Sequence, residues 1–153
     1  LLRYIRPECG EKPVFYDILN TRVALLKLTP GATREMADFL LERNDALIIE
    51  SFGVGGIPQN LLEVFYTEME KWADKGKFVV MTTQVANEGS NMTVYEVGKK
   101  VKQDFNLIEA YDMTLESTIT KLMWLMGLPK MKYRIFKEKY YTMVNHDILF
   151  TKK

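Results

Sequence analysis

Two stretches of this sequence carry groups that could meet a ligand. The first is Ser51-Phe52-Gly53-Val54-Gly55-Gly56-Ile57-Pro58. Gly53, Gly55 and Gly56 tolerate positive φ and, lacking a Cβ, let another molecule come close to the backbone. The same glycines would also serve a tight strand-to-helix turn that needs no ligand. Their spacing is G-x-G-G rather than G-x-G-x-x-G, and no P-loop lysine follows, so neither a dinucleotide site nor phosphoryl transfer is supported. The second stretch is Thr82-Thr83-Gln84, whose hydroxyl and amide groups could hold a polar small molecule. Capping and turn formation are the commoner use of such residues. Tyr95-Glu96 follows, where a tyrosine is more often packing than a catalytic acid.

Other chemistries find little support. No Ser/His/Asp order, close carboxylate pair or metal constellation is visible. Cys9 is the only cysteine and His146 the only histidine, so neither an intrachain disulfide nor a thiolate metal site can form. The expectation is no metal and no cofactor. The Met- and Trp-rich run Lys121-Leu122-Met123-Trp124-Leu125-Met126 reads as core packing.

The elements that position these stretches are legible. Arg22–Leu28 is a short apolar run stopped by Pro30-Gly31, a strand and its turn. Thr33–Arg43 places Met36, Phe39 and Leu40 on one helical face. Ala46–Ile49 is continuously apolar, as expected of a strand covered on both faces. Gln59–Lys75 carries Leu62, Phe65, Tyr66, Met69 and Trp72 at helical spacing and closes at Gly76. Phe78–Met81 is the third strand, and Thr82–Asn91 is a polar loop. A helix over Thr93–Asp104 and a short strand over Leu107–Tyr111 follow. Asp112 or Thr114 caps a helix that ends at Gly127 and Pro129, and a last helix covers Met131–Asn145. Strands alternating with helices predict an α/β domain with a mostly parallel sheet and helices on both faces. In such folds the loops at the carboxyl ends of the strands face the ligand, and both distinctive stretches fall there.

The chain has 153 residues and formal net charge +1. Its Lys99, Lys100 and Lys102 are flanked by Glu96 and Asp104, so they read as a solvated face. Nothing favours nucleic acid or an anionic membrane. No apolar run approaches the ~20 residues that span a bilayer, no signal peptide opens the chain, and a cytoplasmic location is expected. Residues 1–20, with Pro7, Gly10 and Pro13, read as a linker or arm, and 21–153 as the domain. Leu1 in place of an initiator methionine suggests sequence upstream.

In order along the chain, Leu28-Thr29-Pro30-Gly31, Ala46–Pro58, Val79-Val80-Met81-Thr82-Thr83-Gln84, Tyr95-Glu96-Val97-Gly98 and Asp112–Trp124 resemble the C-terminal domain of type I, cytoplasmic L-asparaginases. Each block is weak alone, and the ordered set is specific. The resemblance implies a flavodoxin-like α/β layer domain. It also implies hydrolysis of L-asparagine to L-aspartate and ammonia by a complete protein whose N-terminal domain holds the catalytic threonines. The Thr-Gly-Gly-Thr and Thr-Asp-Thr motifs of that domain are absent from these residues, so the nucleophile lies outside this chain and the segment alone is expected to be inactive. The implied role is to complete a neighbouring subunit's active site in a homodimer or tetramer.

By position, Gly53, Gly55 and Gly56 match the loop that approaches the neighbour's substrate, with Gly56 where many relatives have asparagine. Tyr95 matches a tyrosine that reaches the neighbouring site in some relatives. Glu50, Thr83, Gln84 and Val85 match an effector site of some bacterial members, where Glu50 replaces an arginine and Val85 a cysteine. A carboxylate effector would meet like charge at Glu50, which argues against that form of allostery. Two alternatives share the fold: a non-catalytic effector-binding or interaction module, and the asparaginase-like subunit of a tRNA-dependent amidotransferase.

Overall fold

In the computed structural model, residues 12–94, 98–100, 102 and 107–149 are described, with backbone only at 64–66 and 70. The strands are β1 (Val23–Lys27), β2 (Ala46–Ser51), β3 (Phe78–Thr83) and β4 (Ile108–Glu109). The helices are α1 (Arg34–Arg43), α2 (Gln59–Asp74), α3 (Leu115–Gly127) and α4 (Tyr133–Tyr141). Residues 98–100 and 102 are also helical, and Met92–Val94 forms a 3-10 turn.

All four strands pair in parallel in the order β1-β2-β3-β4. Ile48 stands between Leu25 and Val80 across the ladder. A sheet that advances always in one direction, with crossovers of one hand, puts its connecting helices on one face. Accordingly α1 and α2 cover one face, where Leu41, Leu61 and Trp72 meet Leu26, Leu47, Ile49, Val79 and Met81. The other face is free for α3 and α4, whose Leu122, Leu125, Phe136 and Tyr140 meet Ala46, Ile48, Phe78, Val80 and Ile108. Every residue of β2 is buried, which explains its unbroken apolar run. The α/β class and the two helical layers are as the sequence predicts.

Details differ at the helices. In α1 the buried residues are Ala37 and Leu41, while Met36 and Phe39 are exposed. The helix lies where its spacing predicts, but the smaller residues face the sheet, and the Phe39 ring sits under the Arg43 guanidinium at 4.0 Å. Thr114, not Asp112, caps α3, its Oγ1 accepting the Ser117 N–H at 3.2 Å; Asp112 accepts from Leu149 N–H instead. The last helix stops at Tyr141, short of Asn145, because Thr142 is already extended at φ −71°, ψ 119° and leaves helical geometry; Asn145 and His146, with positive φ, turn the chain further on. Within the Met- and Trp-rich run, Lys121 is buried, and its ammonium bonds Asp147 at 2.8 Å and the Thr142 carbonyl at 2.7 Å, pinning the C-terminal turn onto α3.

The aromatic end of α4 is core. Phe136 stacks on Phe78 with centroids 3.9 Å apart, and Tyr140 is fully buried. Burial holds the Tyr133, Tyr140 and Tyr141 phenols well above the usual tyrosine range, since a phenolate would be poorly solvated there.

Candidate functional site

The loops leaving β2 and β3 come together at the carboxyl edge of the sheet. The glycine-rich loop turns back on itself: Phe52 and Gly56 form an antiparallel bridge, with Gly56 N–H donating to the Phe52 carbonyl at 2.7 Å and Phe52 N–H to the Gly56 carbonyl at 3.1 Å. Gly55 has φ +153°, and a Cβ there would stand 2.8 Å from the Met92 Cα. Glycine is therefore needed twice, for its backbone angle and for close packing against the 3-10 turn. At Gly56 an added Cβ would lie 3.2 Å from the Phe52 carbonyl oxygen, tight but less obstructed.

The Thr-Gln pair secures this loop. Ser51 Oγ donates to the Thr82 carbonyl at 2.7 Å, Thr83 Oγ1 donates to the Gly53 carbonyl, and Val85 N–H donates to Thr83 Oγ1 at 3.0 Å. The Gln84 amide donates to the carbonyls of Leu28 and Glu50, at 2.7 and 3.1 Å, tying the ends of β1 and β2 together. Asn91 N–H donates to the Val54 carbonyl at 2.6 Å, so the two loops are joined directly. Glu50 is largely buried and ion-paired with Lys27 at 3.2 Å. The structure thus brings Glu50, Gly53, Gly55, Gly56, Thr83, Gln84 and Val85 to one edge. Tyr95 lies outside the described residues.

What this edge can do follows from its bonding. The hydroxyls of Ser51 and Thr83 are given to backbone carbonyls, so neither is bonded to a base that would make it a nucleophile. The edge offers shaped backbone and polar groups for binding. Two surface cavities, of about 510 and 660 Å³, lie elsewhere. The first runs beside α3 past Tyr16, Trp124 and His146, and the second lies at the opposite end of the sheet around Asp45 and Lys132. Among the described residues no group of three or more His, Cys, Asp or Glu is placed to hold a metal, and no helix is long and apolar enough to cross a membrane.

Sequence reasoning missed a buried cluster next to this edge. Glu109, in the short strand β4, is fully buried and ion-paired with Lys102. The Lys102 ammonium also donates to Tyr111 Oη at 3.0 Å, and Tyr141 Oη accepts the Glu109 N–H at 3.0 Å. Partial burial pulls the Lys102 ammonium down, but its bonds to Glu109 and Tyr111 outweigh that and hold it above the ordinary lysine value. Tyr111 takes φ +53°, and its N–H and carbonyl exchange bonds with Ser90 at 2.8 and 2.7 Å, stitching the end of β4 to the β3 loop. The available signal was a lone glutamate in an apolar strand, since a charge there requires a partner.

Known proteins agree with this geometry. The glutaminase/asparaginase C-terminal domain family matches residues 22–137. An L-asparaginase of Thermococcus kodakarensis is 39% identical over 126 residues, 80% of this chain and 37% of that protein. The D subunit of the glutamyl-tRNA(Gln) amidotransferase of Pyrococcus furiosus is 34% identical over 112 residues, 72% of this chain and 24% of that one. The solved structure of the thermostable L-asparaginase from Thermococcus kodakarensis superposes with TM-score 0.81 at 34% identity, covering 99% of this chain and 45% of the other. The chain therefore matches less than half the length of each of these proteins.

Proposed function

This chain belongs to the glutaminase/asparaginase C-terminal domain family, and from that premise we propose that it is the C-terminal domain of an L-asparaginase. In this reading it completes the active site of a neighbouring subunit. Residues 1–20 are the arm from an upstream domain carrying the catalytic threonines, and 21–153 are the domain itself. The glycine-rich loop presents Gly53, Gly55 and Gly56 to the substrate bound by the neighbour, Tyr95 acts across the interface, and the assembly is a cytoplasmic homodimer or tetramer.

One observation carries the reading: an edge whose loops are fixed by hydrogen bonds, yet whose Ser51 and Thr83 hydroxyls are committed to backbone carbonyls. Such an edge can shape a site without supplying the nucleophile. At the effector-site positions, Lys27 balances the Glu50 charge, which lessens the repulsion a carboxylate would meet there without creating the cationic site such an effector needs.

Ammonia release from L-asparagine tests the reading. The segment alone should be inactive, and the complete protein active. Turnover by the segment alone would refute it. A second reading, the D subunit of a tRNA-dependent amidotransferase, is favoured by the 34% identity to the Pyrococcus furiosus protein. Amide hydrolysis that requires both the charged tRNA and a second, different polypeptide would decide for it.

A further inference from the structure

The Glu109 cluster has no part in the reading above, yet it bonds the loop after β3 at Ser90 and Met92, and that loop packs on the glycine-rich loop. The Glu109 Oε1 accepts the Met92 N–H at 2.5 Å, while its other oxygen accepts from Lys102. Met92 is fully buried and stands at a crossing. A Cβ on Gly55 would meet its Cα at 2.8 Å, and a Cβ on Gly98 would meet its carbonyl oxygen at 2.5 Å. The preceding residue, Asn91, bonds Val54 in the glycine-rich loop. Packing this close leaves Met92 no room to shift without moving the glycine-rich loop.

We propose that Glu109 is a positioning residue for the ligand-facing edge, fixing Met92 and through it Gly55 and Gly56, with Lys102 as the countercharge that allows a carboxylate to do this in the core. The substrate part of this inference rests on the asparaginase reading, while the positioning part does not. The chemistry explains why a carboxylate is used. Its two oxygens accept from two donors at once, the Met92 N–H and the Lys102 ammonium. A glutamine has one acceptor and one donor end, so it can satisfy only one of the two. The N–H left over would be a buried donor without a partner. Tyr141 and Tyr111 hold the two members from outside, through the Glu109 N–H and the Lys102 ammonium.

Amide hydrogen exchange on the complete protein, in the wild type, Glu109→Gln and the paired neutral variant Lys102→Met/Glu109→Gln, tests the positioning. In Glu109→Gln, exchange at Met92, Gly55 and Gly56 should accelerate about tenfold or more, with Ile48 and Val80 in the central strands unchanged. Removing the competing ammonium frees the glutamine oxygen for Met92, so the paired variant should return these amides to within about threefold of wild type. Unchanged loop amides, or equal acceleration in the strands and the loop, would overturn the proposal.

Kinetics form the second arm. KM for asparagine should rise about tenfold in Glu109→Gln with kcat within about threefold, and recover in the paired variant. A purely structural residue would lower the melting temperature and leave KM alone at 25 °C. Loosened loop amides with an unchanged KM would uphold the positioning and overturn the substrate role of this edge. A wild-type protein inactive on asparagine would remove the asparaginase reading and leave the exchange result standing.

Discussion

Replacing Gly55 with alanine adds one methyl group at the most constrained point of the edge. Two costs arise. The residue holds φ +153°, a conformation that costs an L-residue of order 1–3 kcal/mol. The new Cβ would also stand 2.8 Å from the Met92 Cα and 3.1 Å from its Cγ. The Cα belongs to the backbone and cannot rotate away, so the loop must move, an overpacking cost of about 1–3 kcal/mol. Together these give roughly 2–6 kcal/mol, or a fall in melting temperature of roughly 5–20 °C for a chain of this size. Gly31→Ala is the control, because a Cβ there meets nothing within 4 Å; its effect should stay within about 1 kcal/mol. Adding Met92→Ala to Gly55→Ala relieves the crowding against Cγ but leaves the clash with the backbone Cα, and it should recover none of the φ cost. Urea denaturation of the single and double variants, with midpoint and slope fitted together, measures all of this. A Gly55→Ala protein within about 0.5 kcal/mol of wild type, or a Gly31→Ala protein equally damaged, would refute the geometry of the loop.

Other expectations follow from the same framework. Ile48 is fully buried at the centre of the sheet, so Ile48→Asp should cost several kcal/mol by burying an unpaired carboxylate, and a near-normal denaturation midpoint would contradict the layering. Burial holds the phenols of Tyr133, Tyr140 and Tyr141 above their ordinary value of 10.0. Unfolding therefore releases their protons once pH exceeds about 10, so the phenols' contribution to stability should be constant below that pH and be lost steeply above it. Tyr141→Phe should flatten that fall, which a pH series of melting temperatures would detect. Tyr95→Phe in the complete enzyme should lower kcat/KM about 10²-fold, roughly 2.7 kcal/mol, if the phenol serves the neighbouring site. Loss within a few-fold would mean that Tyr95 only packs. In mixed dimers with a subunit lacking the catalytic threonine, activity should return at the site free of both lesions.

The sequence alone determined the order and kind of the elements, because the signals are local. Apolar spacing of three and four, glycine and proline at element ends, and unbroken apolar runs in buried strands all act between residues close in the chain. They placed α1, β2, α2, β3 and α3, and put the glycine-rich loop at the carboxyl edge of the sheet. Only the tertiary structure decided which face of α1 is buried. Met36 and Phe39 are the larger apolar residues there, but Ala37 and Leu41 meet the sheet, because helix orientation follows from the space the layer leaves. It also decided that Thr83 and Gln84 hold loops together, since their partners Gly53, Leu28 and Glu50 lie 30 to 56 residues away. The Glu109 cluster was beyond local reading for the same reason. Its carboxylate gains meaning only when β4 pairs with β3 and Met92 is packed against Gly55, and no periodicity records what a closed fold brings into contact.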